Sequence, residues 1–159
     1  MATNKCLGAL LFFAGVQALS GCGGNGTNGG ADFGLANPAY AGSYNGVYTN
    51  TRPSNQSVNS LTLSVTVTET GLVTGTAIED VTGRTALVSG TLIDWFPAFS
   101  SDHRSLGVTF KFPGDSTREI SGSAPLGDPS WQFNATYWLL GQGSGATRIG
   151  SGNLVLTKQ

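Results

Sequence analysis

Leu61, Leu63, Val65 and Val67 alternate with Thr62, Ser64, Thr66 and Thr68. A period of two puts one set on each face of an extended chain, so this run predicts a strand with one apolar and one wet face. Glu69-Thr70-Gly71 then reads as a tight turn, and Leu72 to Glu79 as its antiparallel partner. Arg84 to Ile93, Ser105 to Phe112, Thr117 to Ser123, Trp131 to Leu140 and Gly152 to Thr157 repeat the pattern, separated by turn residues such as Pro113-Gly114-Asp115 and Gly127-Asp128-Pro129. With Tyr44 to Thr49 the total is about eight strands, and no stretch carries a capped 3.6-residue apolar period. The predicted fold class is therefore all-β, an antiparallel up-and-down β-barrel; a meander of hairpins closes most easily that way and leaves no exposed edge. A β-sandwich is the alternative arrangement.

The N-terminus follows a different logic. Met1 to Lys5 is polar with one positive charge, and Cys6 to Leu19 is an apolar run containing Leu7, Leu10, Leu11, Phe12, Phe13 and Val16. At roughly 14 residues this run is too short to cross a ~30 Å hydrocarbon core, and it reads as a removable export signal. It ends in Leu19-Ser20-Gly21-Cys22, which resembles the lipobox of bacterial lipoproteins. The resemblance implies cleavage between Gly21 and Cys22, a diacylglycerol thioether on Cys22 and acylation of the new amine. At ~0.8 kcal/mol per buried CH2, two or three such chains would anchor the protein to a membrane. Gly23 follows where aspartate would mark inner-membrane retention, and resemblance to enterobacterial sorting implies the outer membrane if the source is Gram-negative.

From Cys22 onward the composition turns abruptly to Gly, Asn, Ala and Thr. Such a stretch cannot bury enough apolar surface to fold, and it predicts a flexible tether. The expected organisation is a signal over 1–21, the lipidated cysteine and tether over 22–38, and one barrel domain over 39–159.

Charged residues make up 11% of the chain and the formal net charge is −1. That balance excludes the basic surface of a nucleic-acid binder and leaves lipid as the means of membrane contact. Of the two cysteines, Cys6 leaves with the signal and Cys22 carries lipid, so the barrel must hold without a disulfide.

Within the barrel, several short pieces occur in the order found in the avidin and streptavidin family. They are Asn45-Gly46-Val47-Tyr48, Gly71-Leu72-Val73-Thr74-Gly75-Thr76, Leu87-Val88-Ser89-Gly90, Leu106-Gly107-Val108-Thr109-Phe110, Ile120-Ser121-Gly122, Tyr137-Trp138-Leu139-Leu140 and Leu156-Thr157-Lys158. The resemblance implies the family's barrel and places Trp138 on a tryptophan that walls its pocket. It departs at the ligand residues: Ala77 and Glu79 stand where the family carries an aromatic and a hydroxyl, and Ile120 stands at the sixth-strand tryptophan. Unpaired buried polar groups cost about 1–3 kcal/mol each, so these changes remove tight biotin binding and leave the fold.

No catalytic, cofactor or metal constellation emerges. His103, the one histidine, follows Asp102 in sequence, but neighbours rarely aim at one point and no Gly-x-Ser-x-Gly elbow accompanies them. Glu79, Asp80, Asp94, Asp102, Asp115 and Asp128 sit near strand ends without calcium-loop spacing, and one histidine cannot close a zinc site. A hydrolase is the weakest reading. Trp95-Phe96-Pro97-Ala98-Phe99 puts Trp95, Phe96 and Phe99 in the longest predicted connection, where they would cover a barrel mouth or meet a ligand or partner. Apolar groups on both faces of Trp131 to Leu140 also leave room for a homo-oligomer interface.

The expected function is non-catalytic: a small apolar or amphipathic ligand held in the barrel, with Glu79, Trp95, Phe96, Phe99 and Trp138 as binding candidates. The alternative is a protein-interaction module, either an envelope assembly subunit or an inhibitor of an envelope-attacking enzyme.

Overall fold

The computed structural model describes residues 33–52, 59–98, 100–140 and 146–159. The signal segment, Gly21, Cys22 and Phe99 lie outside the described residues. Eight long strands follow in sequence: β2 (Gly42–Asn50), β3 (Ser60–Val67), β4 (Leu72–Glu79), β5 (Thr85–Phe96), β6 (His103–Lys111), β7 (Arg118–Pro125), β8 (Gln132–Leu140) and β9 (Ala146–Lys158). Each pairs antiparallel with its sequence neighbour, and β9 returns to β2 with Val47 opposite Val155, which closes the barrel. The expected up-and-down barrel is therefore the observed one, and the sandwich is set aside.

Two short elements lie outside the expected set. β1 (Phe33–Leu35) and a single 3-10 turn (Pro38–Tyr40) precede β2. β4 stops pairing with β5 at Leu72–Thr91, so β5 overhangs it, and β1 fills the open edge with Phe33 opposite Phe96 and Leu35 opposite Asp94. Strand β1 and the turn both fall largely within the 22–38 stretch expected as tether, whose earlier residues lie outside the described ones. Asn37 caps the turn through its side chain, and Pro38 supplies the pre-set φ of a first helical position.

An eight-stranded barrel has an interior just wide enough for side chains to fill. Here the inward positions carry Tyr44 and Tyr48 from β2, four aliphatic residues from β3, Leu106, Val108 and Phe110 from β6, and Phe133 and Tyr137 from β8. Tyr48, Phe133, Tyr137 and Leu154 are 0% exposed, and the Phe110 and Tyr137 rings stack at 5.8 Å. Glycines let the strands coil tightly around this packing. A Cβ on Gly90 would stand 1.9 Å from the Gly107 carbonyl oxygen, and one on Gly152 1.9 Å from that of Thr49.

The outward positions read Asn45, Thr62, Ser64, Thr66, Thr74, Thr76, Ser89, Thr109 and Asn134, with isolated apolar residues such as Val47 and Leu87. A barrel wall that spans a bilayer carries the opposite pattern, an apolar band facing out. No helix among the described residues is long and apolar enough to cross a membrane.

Candidate functional site

The two ends of the barrel are built differently, and each gathers charged side chains that stand in phase with the apolar stripe of their strands.

At one end, which we term the mouth, the 33–41 segment folds over the opening. Asp94 on β5 and Arg104 on β6 are directly opposed in register and both are buried. The Tyr40 hydroxyl donates to Asp94 Oδ1 at 2.5 Å and the Asn37 amide donates to Oδ2 at 2.8 Å. Arg104 stands over two aromatic rings, its guanidinium 4.0 Å from the centre of the Trp131 ring and 4.9 Å from that of Tyr40. Its Nη2 donates to the Leu126 carbonyl at 3.3 Å, while Nε and Nη1 are buried without an acceptor among the described residues. Tyr44 donates to the Tyr40 carbonyl at 2.6 Å, and Lys158 Nζ to that of Ala39 at 3.2 Å. Burial, and after it the bond to Asp94, raises the Tyr40 pKa above its ordinary value of 10.0 despite the opposing influence of Arg104.

Trp131 has the one positive φ among the non-glycine residues described, 51°. A bulky residue in the left-handed region is strained, by about 1–3 kcal/mol, and persists only when its surroundings hold it there. Its ring sits edge-on to Tyr40 at 5.0 Å and tilted against Tyr44 at 5.4 Å.

The opposite end forms a charged floor. Arg84 pairs with Glu79 at 2.8 Å and with Asp115 at 3.0 Å, and Arg118 reaches Asp115 at 3.2 Å and donates to the Tyr137 hydroxyl at 3.0 Å. Thr82 also donates to Glu79. Burial alone would raise the Glu79 carboxyl, but the bonds from Arg84 and Thr82 and the Arg84 charge override it and hold the pKa below its ordinary value. Beneath this layer the Tyr48 hydroxyl has no hydrogen-bond partner among the described residues. Burial, assisted by neighbouring Tyr137, pushes its pKa up to about 12.

The four binding candidates among the described residues, Glu79, Trp95, Phe96 and Trp138, do not converge. Glu79 is committed to the floor. Trp138 points outward, its indole N–H donating to Ser121 at 2.9 Å, so it does not wall the lumen. A β-bulge between Tyr137 and Trp138 separates the buried ring from the outer one. Trp95 and Phe96 are the last residues of β5 rather than part of a loop, and Trp95 lies over Gly34 of β1. Sequence reading missed Arg104, Asp94 and Arg118 as inward residues, although Arg104 keeps the parity of Leu106 and Val108, and Asp94 that of Leu92. His103 stands at the start of β6 with Nδ1 3.0 Å from the Ser101 carbonyl oxygen. Among the described residues no three His, Cys, Asp or Glu side chains gather as a metal site.

Two open clefts lie on the floor rim. One, of ≈ 530 Å³, is lined by residues including Lys111, Asp115, Thr117, Leu139, Leu140 and Thr147; the other, of ≈ 280 Å³, lies between Arg52 and Arg148. Among the described residues the inward side chains are buried, Tyr48, Phe133, Tyr137 and Leu154 fully so. No known protein family, curated protein or solved structure matches this chain.

Proposed function

We propose that the chain is a cell-envelope lipoprotein, anchored through acylated Cys22, whose barrel is a rigid, non-catalytic protein-interaction module. It serves as a subunit of an envelope assembly or as an inhibitor of an envelope-attacking enzyme. The observation that carries this reading is the filled lumen: Tyr48, Phe133 and Tyr137, at 0% exposure, occupy the axis where a barrel of the ligand-binding kind keeps its cavity. What remains for recognition is the outer surface and the two ends. The lipid would join the barrel through β1 at the mouth, so the mouth faces the membrane side.

Cross-linking of the anchored chain in intact envelopes, followed by mass spectrometry, tests the module. A discrete protein adduct lost on changing Trp95 and Phe96 to serine is expected; a chain without adducts that carries a small-molecule mass under native conditions overturns it. Cys22→Ser should move the chain out of the membrane fraction, and retention there would overturn the anchor.

A further inference from the structure

The mouth is covered by a piece of its own chain, residues 33–41. We propose that it docks an extended peptide segment of a protein partner bearing an aromatic hydroxyl side chain, and that residues 33–41 are the internal competitor that keeps it closed. This rests on the interaction-module reading above and names the surface and the partner chemistry.

The occupant defines what the site takes. The β5 overhang, Asp94 to Phe96, offers a short open edge to an antiparallel strand, which β1 now fills. A turn later, the pocket between Arg104 and Trp131 receives one aromatic ring, and the Asp94 carboxylate accepts that ring's hydroxyl. Cation–π contact and a charged acceptor together select tyrosine over an aliphatic side chain.

The competitor is short and mostly exposed. Of residues 34–41, only Tyr40 is buried, and Leu35 is 53% exposed. The strand contribution is three residues long, against eight or more in each barrel strand. The barrel closes through β2 and β9 without it.

The open state has its own stabilisation. Asp94 and Arg104 are opposed across adjacent strands, but the carboxylate is engaged by Tyr40 and Asn37. Two guanidinium nitrogens meanwhile lack an acceptor among the described residues. Withdrawal of the segment frees the carboxylate to meet the guanidinium, so opening exchanges one set of charged bonds for another. A partner that supplies its own strand and tyrosine then closes the site again, and residues 33–41 lengthen the tether by up to ~30 Å at 3.3–3.6 Å per residue.

The test uses the full chain and a fluorescent nonapeptide copying residues 33–41. A competitor that occupies its own site reduces apparent affinity by the fraction of open molecules. The chain carrying Asn37→Ala and Tyr40→Ala should therefore bind the peptide roughly tenfold or more tighter than the unmodified chain. Adding Asp94→Ala, or replacing the peptide's tyrosine by alanine, should abolish the gain. Equal affinity of the two chains overturns the proposal. Hydrogen exchange of the unmodified chain gives an independent check. The amides of Leu35, Tyr40 and Ala41 should exchange through local opening, far ahead of those of Leu63 and Val108. Exchange of all of them only with global unfolding overturns it as well. The two readings fail separately: absence of an envelope adduct removes the module, whereas absence of a peptide gain removes the site.

Discussion

Asp94 and Arg104 stand opposite each other on β5 and β6, yet Tyr40 joins them, giving its hydroxyl to the carboxylate and its ring face to the guanidinium. The pair is thus completed by a residue from outside the barrel wall. Two buried charges are tied to the position of one short segment, and the cost of losing either charge is unequal.

Asp94→Ala removes the acceptor of both Asn37 and Tyr40. Leaving buried donors unpaired costs about 1–3 kcal/mol each. Arg104→Met keeps most of the side-chain volume between Tyr40 and Trp131, removes two donors without acceptors among the described residues, and leaves Asp94 its two bonds. Its cost should be smaller than that of Asp94→Ala, because the buried carboxylate keeps both of its hydrogen bonds. Urea unfolding of the two variants checks the asymmetry; equal losses would contradict it.

Gly90 and Gly107 are both glycines in the barrel wall and should respond oppositely to alanine. A Cβ on Gly90 would stand 1.9 Å from a backbone oxygen and 2.7 Å from Val108 Cα, neither of which can swing away. On Gly107 nothing lies within 4 Å. Gly90→Ala should cost more than about 3 kcal/mol or prevent folding. Gly107→Ala should be neutral or stabilise by roughly 0.4–1 kcal/mol through loss of unfolded-chain freedom. Thermal unfolding distinguishes the two.

Much of this architecture is legible in the sequence. Period-two alternation found all eight barrel strands, and the hairpin spacing found their order. Asp94 and Arg104 fall one residue outside the predicted strands Arg84 to Ile93 and Ser105 to Phe112, although each, like Arg118, continues the inward parity of its strand. Parity decides which face a side chain takes, and burial then demands partners, so the charged layers at both ends follow from the same pattern. Residues 33–41 were not legible as folded because three strand residues carry no periodicity and Gly, Ala and Asn read as tether. The Asn37-Pro38 capping signal was the available clue.

Phe133→Ala tests the filled lumen. The side chain is 0% exposed at the axis, and its removal leaves a cavity that facing strands cannot close without breaking their ladders. A loss of about 3–5 kcal/mol is expected. An apolar cavity of this kind stays dry and takes small hydrocarbons or xenon. The variant should gain a xenon-dependent chemical shift that the native chain lacks, and a shift already present in the native chain would show that its axis is not filled.

Glu79 sets the acid limit. Its folded pKa lies below the ordinary 4.5, so the stability it contributes is fully present above that value and is lost as pH falls through the folded one. Denaturant midpoints measured from pH 6 downward should fall below about pH 4.5 in the native chain. Glu79→Gln should show a shallower fall, and parallel curves would exclude Glu79 as the group responsible.

The alkaline limit belongs to the tyrosines. All four tyrosines of the chain, Tyr40, Tyr44, Tyr48 and Tyr137, are buried with raised pKa values, each owing first to burial. A raised pKa on an acid that is neutral when protonated stabilises the fold fully below the unfolded value of 10.0 and is lost as pH rises through the folded value, about 12 for Tyr48. Absorbance at 295 nm should therefore stay flat through pH 10, where exposed phenols ionise. Tyr40, which leaves the barrel with its own short segment, should ionise first and alone. Tyr44, Tyr48 and Tyr137 should follow in one step that coincides with loss of the far-ultraviolet strand signal. Tyr40→Phe should remove the early step and leave the later one in place; a single step in both chains would mean that the segment and the barrel open together.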